Sequence, residues 1–175
     1  NCHDHETSET HLLSADTPDA PLLTVATRQP GRRYQTEEAG GLLYILTNAD
    51  GAEDFKIVTA PVGESDPRRW RDLVAHRPGV LLREFAVFAE YLAWLEYIDY
   101  LPHIVVRGLR TGDEHKLSFT DQPYNVQLKH SLEFETAMLR FSVETMAAPA
   151  RIFDYDMKKR IKHLRKINEP PNGHD

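Results

Sequence analysis

The chain has 175 residues with a formal net charge of −6, and its 41% hydrophobic and 27% charged residues are ordinary for a soluble globular fold and not for a disordered one. No apolar run reaches the roughly 18 residues that a membrane-spanning helix needs, and the N-terminus has no basic stretch followed by an apolar one. The single cysteine, Cys2, cannot form an internal disulfide, which favours a reducing compartment and gives cytoplasm as the expected location.

Charge is unevenly placed. Residues 1–66 hold twelve acidic and four basic side chains, against fifteen and seventeen in the remainder. That argues against nucleic acid as a general partner and sets up a field able to attract cations, although a solvated surface explains it as well.

In chain order, residues 5–14 read as a strand, followed by a turn at Asp16-Thr-Pro-Asp19 where Pro18 presets φ and Asp16 can hydrogen-bond its own backbone. Residues 32–39, a Gly40-Gly41 turn and residues 42–47 make a hairpin. Asn48-Ala-Asp-Gly51 turns the chain into a further strand, residues 54–60. Residues 63–71 form a polar loop with room for one helical turn.

Residues 80–100 are rich in Leu, Ala and Glu and imitate a buried helix. The period-two placement of Phe85, Val87, Leu92 and Trp94 favours two strands, and Leu101-Pro102 would stop a helix. Residues 103–109, the Arg110-Thr-Gly-Asp113 turn and residues 114–119 follow. The last stretch begins near residues 124–129, continues as a strand at 138–143, a polar loop ending at Pro149 and a strand at 150–156, and closes with residues 160–166 before Pro170-Pro171-Asn-Gly173.

The segments THLLSAD, FKIVTAP, HIVVRGL and ARIFDYD start at residues 10, 55, 103 and 150, spacings of 45, 48 and 47. In the last three copies another strand lies about a dozen residues earlier, at Leu43, Leu92 and Leu139. A unit of about 47 residues holding four strands is a propeller blade. The expected fold is all-β, a partial β-propeller of about fourteen antiparallel strands: half a blade (1–30) and three four-stranded blades (31–76, 77–120, 121–168). Propellers usually close with about four to eight blades, so this is the organisation of part of a larger repeat domain.

Several strings, His5-Glu-Thr-Ser-Glu9, Leu43-Tyr-Ile-Leu-Thr-Asn48, Leu139-Arg-Phe-Ser142, Asp154-Tyr-Asp-Met157 and Glu169-Pro-Pro-Asn-Gly-His-Asp175, together resemble the oligopeptidase B (protease II) group of the prolyl oligopeptidase family of serine peptidases. The resemblance covers nearly the whole chain. Lys158-Lys-Arg160 departs from it, standing where relatives tend to carry a Thr-Gly turn. In that family a seven-bladed propeller covers an α/β-hydrolase domain carrying the Ser, Asp and His of the triad. The resemblance therefore implies the C-terminal part of the propeller, with residues 169–175 as the linker toward a catalytic domain. It implies cleavage of short peptides, especially those with basic residues, by the parent chain, with the propeller limiting access. A non-enzymatic propeller scaffold for protein interaction is the alternative.

No catalytic, cofactor-binding or metal-binding residue is assigned, and the substrate-binding residues are left unknown. The sequence has no Gly-x-Ser-x-Gly elbow, and Gly63-Glu-Ser65-Asp-Pro67 lacks the second glycine. His3, Asp4, His5, Glu6 and His11 have metal-ligand chemistry but not the paired spacing of a zinc site, and read as a solvated terminus. The basic run at residues 158–166 reads as an edge strand kept soluble by lysine. Phe85, Phe88, Trp94, Phe141, Phe153 and Tyr155 read as core between blades. With Leu12 and Leu13 near one boundary and Phe141, Val143, Ile152 and Phe153 thought to lie partly on an uncovered face at the other, the isolated chain is expected to pair as a symmetric dimer.

Overall fold

A computed structural model describes residues 2–3, 8–13, 19–117, 119, 125–129, 133–146 and 148–167. These residues are all-β apart from two short 3-10 turns, Ala49–Gly51 and Pro67–Arg69. The second turn lies in the loop where the sequence left room for one. None of the described helices is long and apolar enough to cross a membrane. The chain divides into two compact units, Asn1–Pro78 and Gly79–Asp175.

In the first unit, β1 (Cys2–His3) pairs with β2 (Ser8–Glu9), and β3 (His11–Leu12) with β4 (Leu23–Thr24). A four-stranded meander follows: β5 (Tyr34–Ala39), β6 (Leu42–Thr47), β7 (Lys56–Pro61) and β8 (Arg71–Val74). The Gly40-Gly41 turn is present, with φ of +61° and +80°, a geometry that glycine adopts without steric cost. The single strand expected over residues 5–14 is interrupted at Thr10, and its residues 5–7 and 14 lie outside the described ones. The interruption has a physical cause. The Thr10 amide donates to the Tyr34 hydroxyl at 2.9 Å, and that hydroxyl donates to the Ala26 carbonyl at 2.9 Å. One phenol thus fastens the short hairpin to the meander. Val25, Ala26, Tyr34, Leu43, Ile45, Val58 and Ala60 form this unit's core, with Leu12 and Trp70 packed against it.

The second unit holds two more meanders. The first is β9 (Val80–Val87), β10 (Tyr91–Ile98), β11 (Leu101–Gly108) and β12 (Glu114–Leu117). The second is β13 (Asn125–Lys129), β14 (Met138–Thr145), β15 (Ala148–Asp156) and β16 (Ile161–Ile167). The Leu/Ala/Glu-rich stretch is two strands, with Trp94 opposite Phe85 and Leu92 opposite Val87. Pro102 is tolerated inside β11 because pairing with β12 begins only at Ile104.

Three sheets of four strands, with two two-stranded sheets before them, are the expected partial propeller. There are two corrections of detail in the final sheet. First, β15 begins at Ala148 and runs through Pro149, so the supposed polar loop is a tight turn. The register is irregular between Val143 and Thr145, the kind of site that accommodates a strand proline.

Second, of the four apolar residues thought to lie partly on an uncovered face of that sheet, three do not. Phe141 and Val143 are buried against the preceding sheet together with Leu139, Val126 and Leu128, meeting Ala93, Leu95, Ile104 and Val106, and Phe153 packs on the same cluster. Alternation sends Arg140, Ser142, Ile152 and Asp154 to the other face. That face is mainly polar, with Met138, Ile152 and Ile161 as apolar members.

Candidate functional site

In each meander the first strand is an edge, and in the second unit two such edges converge: β13 lies against β9 and β10. Leu95 pairs with Glu84 but Glu96 pairs with Leu82, which makes Arg83 the extra residue of a β-bulge. A bulge re-aims neighbouring side chains. Here Glu84 reaches across the gap and accepts a hydrogen bond from the Leu128 amide at 2.8 Å, so one edge satisfies a backbone donor of the next. Arg83 is exposed, and Lys129 donates to Gln127 at 3.0 Å. The converging edges are therefore polar and charged. Such residues resist strand addition and make a hydrophilic wall.

Behind this edge lies Glu96, fully buried in β10. Its two carboxylate oxygens are engaged: the Trp94 indole donates to Oε2 at 3.0 Å and the Lys116 ammonium to Oε1 at 2.8 Å. A carboxylate held by two donors on its own sheet is a structural clamp rather than a free base. The two meanders are also joined by His115 and Tyr155, whose Nε2 and hydroxyl lie 2.8 Å apart. Burial, and secondarily the Arg160 cation, push the His115 pKa down, while burial raises that of Tyr155.

In the first unit a shallow cleft of about 580 Å³ is lined by residues that include Arg32, Asn48, Asp50, Asp66 and Arg68. Its charged groups serve local structure. Asp66 caps the Pro67–Arg69 turn by accepting from the Arg68 amide at 3.1 Å, and the Arg68 guanidinium donates to it as well. These bonds hold the Asp66 pKa at about 2. Ser65 of the Gly63-Glu-Ser-Asp-Pro67 string is exposed between Glu64 and Asp66, and Glu64 accepts from the Asp66 amide.

Of the N-terminal histidine and acid cluster, Asp4, His5 and Glu6 lie outside the described residues, as does the side chain of His3. His11 is described and sits between Glu9, 3.0 Å from Nε2, and the Thr24 hydroxyl, 3.1 Å from Nδ1. Among the described residues no group of three His, Cys, Asp or Glu is disposed to hold a metal. The basic run falls on β16, an edge strand exposed along its length. Lys162 lies 5.0 Å from the centroid of the Phe153 ring, and Arg165 pairs with Asp154 at 3.1 Å. Sequence reading missed the Glu96 clamp and the Glu84 bridge. The signal for the first was a lone acid inside the apolar run Leu92-Ala-Trp-Leu-Glu96, whereas nothing local marked the second.

Residues 1–168 match the family described as prolyl oligopeptidase, N-terminal beta-propeller domain. The chain belongs to the prolyl oligopeptidase family. This prolyl oligopeptidase-family chain is 31% identical over 169 residues to dipeptidyl aminopeptidase BI of Pseudoxanthomonas mexicana, covering 96% of this chain and 23% of that protein. It is 25% identical to protease 2 of Moraxella lacunata, covering 92% and 23% respectively. Its fold superposes on oligopeptidase B from Leishmania major with a TM-score of 0.82 at 28% identity, over 97% of this chain and 25% of that one. The chain thus spans about a quarter of the length of these relatives.

Proposed function

We propose that this chain is the part of a β-propeller that restricts access to the catalytic domain of a serine oligopeptidase, admitting short peptides and, among them, those with basic residues. The observation that carries the reading is the match of residues 1–168 to the family's propeller domain. In this reading residues 1–168 belong to the propeller and 169–175 lead toward the catalytic domain. Packed sheets with hydrophilic converging edges suit a passage that an extended peptide can enter and a folded protein cannot, and exclusion of bulk water favours the chemistry beyond it. The excess of acidic side chains in residues 1–66 supports a preference for cationic peptides. A cytoplasmic location is proposed with it, on the single cysteine.

The test uses the full-length parent protein and a serine-directed covalent probe, followed by peptides of graded length with and without Arg. Labelling of one serine beyond residue 175 and faster turnover of short Arg-containing peptides are expected. A parent that neither labels nor cleaves peptides would leave a non-enzymatic scaffold as the better reading.

For the isolated 175-residue chain we propose self-association. It rests on Leu13, Leu22 and Leu23, each about half exposed in the first unit. The last sheet's polar face does not supply it.

A further inference from the structure

We propose that Arg83 and Lys129, on the converging edges of the second unit's sheets, form a site for a carboxylate of the peptide substrate, so that the propeller wall holds a short peptide by its negative charge. The proposal deepens the reading above and rests on it, since it takes the parent to be a serine oligopeptidase.

The bulge in β9 is what frees Arg83. Trp94 stands opposite Phe85 and Leu95 opposite Glu84, so a regular register would set Arg83 opposite Glu96. There it would share the buried face of Phe85 and Trp94, within reach of the buried Glu96 carboxylate. The extra residue gives that place to Leu82, which is buried, and leaves Arg83 exposed at the edge. Glu96 draws its cation from another strand, Lys116 at 2.8 Å. Bulges recur beside functional sites because they re-aim a side chain in this way.

Arg83 is also unlike most arginines of the chain. Arg68, Arg69, Arg107, Arg110, Arg140 and Arg165 each lie within 3.3 Å of a carboxylate oxygen. The Arg83 guanidinium makes neither ion pair nor hydrogen bond among the described residues. Its neighbour Glu84 is turned to the Leu128 amide at 2.8 Å instead.

That same bond brings a second cation to the place. Arg83 precedes Glu84 and Lys129 follows Leu128, so each stands one residue from the contact that joins the two edges. Lys129 donates to the neutral Gln127 side chain at 3.0 Å and pairs with no carboxylate among the described residues. Burial raises the pKa of Tyr97, which also feels the charges of Arg83 and Glu84, so a phenolic O–H stands near the cations as a further donor.

Two cations whose nearest acid is engaged by a backbone amide suit an anion, and the planar fork of a guanidinium matches a carboxylate in particular. A peptide brings that group at its C-terminus or on Asp and Glu side chains. A carboxylate held at one point on the wall fixes its separation from the bond to be cut. A short peptide meets that condition with its terminus, and a loop of a folded protein does not. The preference for basic residues concerns a different group of the same peptide.

The experiment measures kcat and KM for the full-length parent and its Arg83→Gln and Lys129→Gln variants on Arg-containing peptides of one sequence. One has a free C-terminal acid, one a C-terminal amide, and one the amide with Glu as its last residue. The wild type is expected to prefer the acid over the amide by about tenfold in kcat/KM. Arg83→Gln should abolish that preference by raising KM for the acid alone, and Lys129→Gln should reduce it by about threefold, with unfolding midpoints unchanged. The third peptide assigns the source: cleavage like the amide supports recognition of the terminal carboxylate, and cleavage like the acid supports recognition of a carboxylate from either source. An acid-to-amide ratio that is the same in all three proteins, or a loss that strikes acid and amide alike, would overturn the site while leaving the peptidase reading intact. Failure of that reading is seen separately, as a parent that no serine-directed probe labels.

Discussion

Glu96 is the residue whose removal should be felt most sharply relative to its size, because truncation leaves the Trp94 indole without an acceptor in a dry site. Glu96→Ala is expected to destabilise the chain by about 1–3 kcal/mol, with Glu96→Gln costing less because an amide oxygen can still accept from the indole. Urea unfolding followed by tryptophan fluorescence measures both, and equal midpoints for all three proteins would contradict the clamp. His115 gives a pH dependence of defined sign. Its folded pKa lies below the ordinary value of 6.5, so the unfolded chain binds more protons just below that pH and stability falls as pH drops through about 6.5. Asp154, held below the usual carboxylate range first by hydrogen bonds from Arg140, acts in a separate window, its contribution being lost only below about pH 4. Replacing His115 with Gln should flatten the stability profile between about pH 5 and 7 and leave the acid limb unchanged. At this scale the sequence exposed an oddity, one acid in an apolar run. It did not show the partner, because Lys116 lies two strands away.

At the scale of the element, residues 80–100 carry the lesson about legibility. Composition favoured a helix, but the repeat phase and the alternation of Phe85, Val87, Leu92 and Trp94 identified two strands. Ala93 and Leu95 occupy the opposite face and are buried too, which is why the run looks continuously apolar. The bulge at Arg83 was not legible, since it is a matter of register between strands. Pro149 misled in the other direction: read as a loop residue, it stands inside β15 beside a register irregularity. Two substitutions test the elements. Tyr100→Gly should raise stability by about 1 kcal/mol by relieving the left-handed backbone, and a loss would show that the side chain packs within this chain. Phe141→Ala, which empties a fully buried position next to the stacked Phe153 ring and the Phe119 edge, should cost about 3–5 kcal/mol in denaturant unfolding.

For the whole molecule, the period of about 47 residues carried the architecture, since each sheet must cover its neighbour and therefore repeats the same apolar positions. The nature of the terminal face was not legible in that way. Alternation shows that two faces exist but not which one meets a neighbour, and the polar set Arg140, Ser142 and Asp154 belongs to the uncovered one. Light scattering of the isolated chain at ~50 μM should therefore report a dimer that is sensitive to Leu13→Ser and Leu22→Ser and indifferent to Ile152→Ser. A monomer of 20.1 kDa would remove the self-association proposal. The gating role is tested most directly on the full-length parent, by comparing cleavage of a short Arg-containing peptide with cleavage of the same sequence in an exposed loop of a folded protein. Rapid cleavage of the peptide, negligible cleavage of the folded protein and probe labelling of a serine outside residues 1–175 are expected. Comparable cleavage of both substrates would contradict a propeller that limits access.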